Sequence, residues 1–215
     1  MARREQSTAV GGESRGPARG TAATRLRILE GAAAAFGRGG FADTRVDDII
    51  AAAGVSRPSF YKFFRNKDEV FDLLHEMHAL SLLQSIKSAA VTADDPTDKV
   101  ERSIEAFLRQ MAASGGLARA LYSESHRPGS PQATRYQETT AALVAFFVEQ
   151  SSAILERQID PLVYTGLVAA AEAIGASLVN GPRMGEAEIA RAKDAIVMIM
   201  RNTLTDDPAA APDPQ

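Results

Sequence analysis

The stretch from Thr44 to Lys67, TRVDDIIAAAGVSRPSFYKFFRNK, constrains this chain more than any other, because it prescribes two short helices joined by a tight turn. Val46, Ile49 and Ile50 form an apolar stripe at helical spacing, and Gly54 can adopt the left-handed conformation that ends a helix. Ser56 offers its side chain as the N-cap of the next helix. Pro58 falls in that helix's first turn, where a missing N–H costs little. The second helix is too short to serve as a core element alone, yet it carries Arg57, Ser59, Tyr61 and Lys62. A helix, a glycine turn and a short polar, basic helix make up the helix-turn-helix plan for entering the DNA major groove.

The net charge of −3 looks unsuited to nucleic acid until it is divided along the chain. Residues 1–68 carry 12 Lys/Arg against 7 Asp/Glu, a net +5, and the remainder carries 12 against 20, a net −8. Such asymmetry suggests a basic DNA-facing end joined to a body with another task. At 215 residues and 45% hydrophobic content there is material for a substantial core. The absence of Cys excludes disulfides and thiolate metal sites. No apolar run reaches the roughly 20 residues needed to span a bilayer, and no apolar leader opens the chain, so a cytoplasmic protein without a membrane partner is expected.

Residues 1–21, rich in Gly, Ala, Ser and Arg, read as a disordered basic arm. Its Arg3, Arg4, Arg15 and Arg19 either track phosphates or simply solubilise the chain. Thr24 to Arg38 is helical, with Leu26, Leu29, Ala33 and Phe36 on one face and Gly37, Gly39 and Gly40 ending it. Phe41 is expected to plug back into the small core. Thr44 is expected to cap the next helix with Asp47 in a capping box, and Asn66 to cap another with Glu69. Asp95-Pro96, Ser130-Pro131 and Asp160-Pro161 each place a capping residue before a proline, marking helices to roughly Ser114, Ile159 and Asn180. A short helix from Leu117 to His126 fits between Gly115-Gly116 and Pro128-Gly129. A last helix covers Glu186 to Leu204. No strand pattern appears, so the fold is expected to be all-α with about nine helices. The domains are expected at 22–68 for DNA binding and 69–205 for the body, with a flexible tail at 206–215.

The Gly-rich end of the first helix with Phe41, followed by AAGVSRPSFYKFFRNKDEV, resembles the TetR family of transcriptional regulators. Within that family it is most similar to regulators whose recognition helix begins S-R-P-T-F-Y. The resemblance covers residues 24–74, and beyond them only helix number and order match. It implies a homodimer on a near-palindromic DNA operator, usually repressing transcription and released by a small molecule bound in the body. It places Tyr61 and Lys67 at phosphate-contacting positions and Thr44 at a helix N-terminus, where its hydroxyl or backbone N–H can meet phosphate. Arg57, Ser59 and Lys62 occupy variable positions facing bases or phosphates. Arg45 can add salt-sensitive attraction, and a guanidinium can grip guanine bidentately. Phe63 and Phe64 read as core, whereas Phe60 could serve either as core or as a contact to a thymine methyl.

In the body, Leu162, Gly166, Ala170 and Ala173 on one helix and Ile189, Ile196, Ile199 and Met200 on the next are candidates for the dimer seam, because small residues allow close helix approach. Met77, Phe107, Met111, Tyr122, Phe146 and Phe147 are candidates for an apolar effector pocket, with His78, His126 and Asn180 as polar handles. Each could equally be ordinary bundle core. An enzyme is disfavoured: His75 and His78 share a helical face, but no H-E-x-x-H motif, paired Glu-x-x-His or phosphate loop accompanies them. No metal or cofactor is expected. The remaining alternative is a DNA-binding or architectural factor of the same fold that answers to no ligand.

Overall fold

The computed structural model describes residues 17–93, 95–152, 158–179 and 185–205. Among them are eight helices and no strand: α1 Pro17–Asp43, α2 Val46–Ala53, α3 Arg57–Tyr61, α4 Lys67–Val91, α5 Pro96–Ser125, α6 Pro131–Ser152, α7 Pro161–Val179 and α8 Glu186–Thr205. The expected tail and the expected arm up to residue 16 lie outside the described residues. Residues 17–21, expected in the arm, are instead the opening turns of α1.

Most local signals act where they were expected, although α1 continues past the glycines expected to end it, to Asp43, with a kink at Gly40 (φ 74°, ψ 176°). Asn66, Asp95 and Asp160 accept backbone N–H groups at the starts of α4, α5 and α7. Gly54, with φ 60° and ψ 40°, ends α2 in the left-handed region. The start of α2 falls one residue later than expected. Arg45 occupies the N-cap position, and its N–H donates to the Asp48 carboxylate at 2.7 Å, so Asp48 and not Asp47 completes the box. The two helices expected on either side of Gly115-Gly116 are present and run together as α5 across a kink, where Gly115 has the non-helical φ 48° and ψ −121°. That conformation is open to glycine and strained for other residues, so it interrupts the helical run and redirects the chain.

Two apolar clusters organise the bundle. The first joins α1 to α4 around Ile28, Phe36, Ile49, Phe60, Val70 and Phe71, all fully buried, and takes in Ala120 and Leu121 of α5. Phe36 meets Phe71 edge-on at 5.0 Å, and Phe41 reaches back to Phe71 at 4.6 Å. The second cluster fills the body with Leu82, Ile104, Phe107, Leu108, Met111, Leu143, Val168 and Ile196.

Glycine sets two close approaches. A Cβ on Gly31 would lie 2.5 Å from the Ala53 nitrogen, where α1 crosses α2. A Cβ on Gly116 would lie 2.4 Å from the Gly37 carbonyl oxygen, where the α5 kink meets the end of α1. Arg119 donates to the same oxygen at 2.9 Å.

The α4–α5 seam also carries polar contacts. His78 Nδ1 lies 3.2 Å from the Ser114 hydroxyl, and His75 Nε2 lies 3.3 Å from the Ser125 hydroxyl. Burial, with the neighbouring His75 adding to it, lowers the His78 pKa to about 4. Burial lowers that of His75 as well, with Arg135 adding and Asp72 opposing. An unfolded histidine titrates near 6.5, so acid protonates the unfolded chain first. The stability held by a neutral His78 is therefore complete above about pH 6.5 and is lost progressively as pH falls toward 4. The loss is on the order of 3 kcal/mol. His78→Gln should flatten this part of the profile when Tm is followed from pH 7.5 to 4.5. Parallel Tm profiles for variant and wild type would rule the effect out.

Candidate nucleic-acid interface

α3 is only five residues long, so its position is set by its ends and by one anchor. At the N-terminus the Ser56 hydroxyl accepts the Ser59 N–H at 3.3 Å, and Pro58 sits in the first turn. The anchor is Phe60, whose ring is fully buried in the first cluster. Phe60 therefore cannot reach a base, and the contact to a thymine methyl is corrected to a core role. Burying Phe60 turns its neighbours outward. Tyr61 is 47% exposed, with its ring edge-on to Phe60 at 5.3 Å. Arg57, Lys62 and Arg45 are exposed, and Ser59 is half-buried with its hydroxyl 2.8 Å from that of Ser56.

The Arg57 guanidinium pairs with Asp47 on α2. Both side chains are more than half exposed, so the pair contributes little to stability and leaves the guanidinium accessible. It nonetheless sets the direction of Arg57 before any ligand arrives. The sequence reading missed Asp47 in this part, because the pairing runs from one helix to the next.

Two other expected contacts turn inward. Thr44 is buried, and its hydroxyl donates to the Gly40 carbonyl at 2.6 Å, so the hydroxyl is not offered to a phosphate. The Lys67 ammonium donates to the carbonyls of Phe41, Ala42 and Thr44 at 2.7, 3.1 and 2.9 Å. It also lies 4.4 Å from the centre of the Phe41 ring. An ammonium has three donors, and all three are used here. Lys67 thus ties the start of α4 to the segment between α1 and α2. A faint signal was present in the sequence: a cation at a helix N-terminus opposes the helix dipole and needs another reason to be there.

The body holds two adjoining cavities, both partly open to solvent, of about 180 Å³ and about 50 Å³; they share Ser103, Phe147, Tyr164 and Met200. Phe146 lines the larger and Phe107 the smaller. The other expected pocket residues lie elsewhere. Met77 is 45% exposed, His78 is engaged with Ser114, and Met111 packs against Gly175. Tyr122 and His126 stack on each other at 4.0 Å away from either lining, and Asn180 lies outside the described residues. The lining includes Glu172, which the sequence reading passed over because one acidic residue in a helix looks like a solvated face.

The seam candidates divide by helix. On α7, Leu162, Gly166 and Ala173 are exposed and Ala170 is half-buried, so they lie along an open flank. On α8, Ile189 and Ile196 are buried inside the chain, Ile199 is half-buried, and Met200 faces the cavities. The exposed residues of α8 include Ala187, Ala190, Arg191, Asp194 and Met198 instead.

The model of bacterial regulatory proteins of the tetR family matches residues 28–74, the segment from the first buried turn of α1 into α4. The transcriptional repressor SCO4008 of Streptomyces coelicolor is 35% identical over 131 residues, 60% of this chain and 65% of that protein. The transcriptional regulator EthR of Mycolicibacterium smegmatis is 35% identical over 89 residues, 37% of each chain. The chain thus spans less than two thirds of the length of the curated relatives it matches. A TetR-like transcriptional regulator from Rhodococcus shares the fold at a TM-score of 0.72 and 22% identity, over 86% of this chain and 97% of that one.

Proposed function

Because this chain belongs to the TetR family of bacterial regulatory proteins, we propose that it is a transcriptional repressor that binds a near-palindromic operator as a homodimer and is released by a small, largely apolar effector. In this reading residues 22–68 hold DNA, and residues 69–205 dimerise and bind the effector. The observation that carries it is the outward face of α3. Tyr61, Arg57, Ser59 and Lys62 flank the buried Phe60 anchor, and Arg45 is exposed at the start of α2, all in the positively charged end of the chain. Phosphate contacts from such a face supply salt-dependent affinity, and a guanidinium supplies base discrimination. The exposed small-residue flank of α7, a helix apolar enough in length and composition to cross a membrane, supports a second copy covering it. The apolar cavities support an effector, and the name of the Streptomyces relative supports repression.

Selection of bound DNA from a genomic library, with wild type and two variants, tests this reading. The wild type should enrich two half-sites in inverted repeat. Tyr61→Phe should weaken binding to every sequence by roughly 1–2 kcal/mol, as expected for one lost hydrogen bond to a charged group. Arg57→Ala should change which bases are preferred. A single, unrepeated site would overturn the dimer, and an altered preferred sequence for Tyr61→Phe would overturn its phosphate role.

A further inference from the structure

The smaller cavity is lined by apolar side chains apart from Ser103, Tyr164 and one ionisable carboxyl group. Glu172 of α7 lines it together with Phe107, Phe147, Leu167 and Ile196. Its carboxylate accepts a hydrogen bond from the Tyr136 hydroxyl of α6. Among the described residues no Lys or Arg forms an ion pair with it; the titratable group whose charge favours its ionised form is His126. His126 is exposed at the end of α5, with Nδ1 2.8 Å from the Tyr122 carbonyl and its ring 4.6 Å from that of Tyr136. It is poorly placed to act as a buried counter-ion.

A carboxylate held in apolar surroundings without a basic partner costs folding free energy. Burial accordingly raises the carboxyl pKa of Glu172, with the hydrogen bond from Tyr136 opposing the rise. A ligand cation would recover that cost, and aromatic rings nearby favour a cation over an anion. We propose that Glu172 anchors the positively charged end of an amphipathic ligand, an ammonium-bearing molecule whose apolar body runs past Phe147 and Tyr164 into the larger cavity. The inference rests on reading these cavities as the effector site, and it names the effector's class. Tyr136 is a positioning residue, fixing the carboxylate through its hydroxyl.

Three ten-carbon probes that differ only in the headgroup test it by calorimetric titration of the full chain at pH 7.5: decylammonium, 1-decanol and decanoate. Decylammonium should bind at least ten-fold more tightly than either of the others. Glu172→Gln should remove the preference of decylammonium over 1-decanol. An unchanged far-UV circular dichroism spectrum reports that the variant is folded. Equal or tighter binding of decanoate or 1-decanol to wild type would overturn the proposal, as would a decylammonium preference that survives Glu172→Gln. Release of the selected operator, followed in parallel, separates the two readings. Tight decylammonium binding without operator release supports the cation anchor and overturns the effector role. Release by 1-decanol or decanoate without any preference for decylammonium supports the effector role and overturns the cation anchor.

Discussion

Gly31→Ala should destabilise the N-terminal unit by about 2–4 kcal/mol and abolish operator binding, although alanine is the better helix former. The new Cβ would lie 2.5, 2.7 and 2.8 Å from the nitrogen, Cα and Cβ of Ala53. Two of those atoms are backbone, so no rotamer change can relieve the overlap, and α2 must move away from α1. α2 carries Ile49 into the first cluster and ends at the Gly54 turn that orients α3. Any displacement is therefore passed directly to Arg57 and Tyr61. Gly20→Ala in the same helix is the control, because nothing lies within 4 Å of its added Cβ. It should be neutral or slightly stabilising, by at most about 1 kcal/mol. Urea denaturation of both variants checks the prediction. Wild-type stability for Gly31→Ala would mean that the α1–α2 crossing is looser than described.

Lys67→Met has the second large expected effect. Methionine keeps much of the apolar stem but removes the ammonium that satisfies the carbonyls of Phe41, Ala42 and Thr44. Water can reach some of the freed oxygens, so the expected cost is roughly 2–4 kcal/mol, less than the sum of three separate charged hydrogen bonds. A residue whose task is to hold phosphate would behave differently: its loss would lower operator affinity and leave Tm unchanged. A lowered Tm without DNA present thus assigns Lys67 to the fold. An unchanged Tm with weakened DNA binding would return it to the interface.

The parts of this molecule that were legible in the sequence are those governed by neighbours a few residues apart. The caps at Ser56, Asn66 and Asp95, the proline of α3's first turn and the left-handed Gly54 all depend on contacts within one helical turn. Their residue types announce them. What was misread depends on distant partners. Lys67 reaches carbonyls 23 to 26 residues earlier in the chain, so its spacing alone could not distinguish a structural tie from a phosphate contact. The α8 stripe of Ile189 and Ile196 shows the same ambiguity: an apolar stripe needs burial, and periodicity does not say whether the cover is the same chain or a second copy.

Sequence by itself therefore determined that the chain is helical, where most helices begin, and that a short basic helix follows a glycine turn. These are consequences of local hydrogen bonding and of 3.6-residue periodicity. The tertiary structure alone decided which way each face points. It buried Phe60 so that Tyr61 and Arg57 face outward, turned Thr44 and Lys67 inward, and left Glu172 in an apolar cavity with a tyrosine as its partner. Those outcomes follow from the packing of elements far apart in the chain, where a rotation of one helix by a single residue exchanges a core side chain for a functional one.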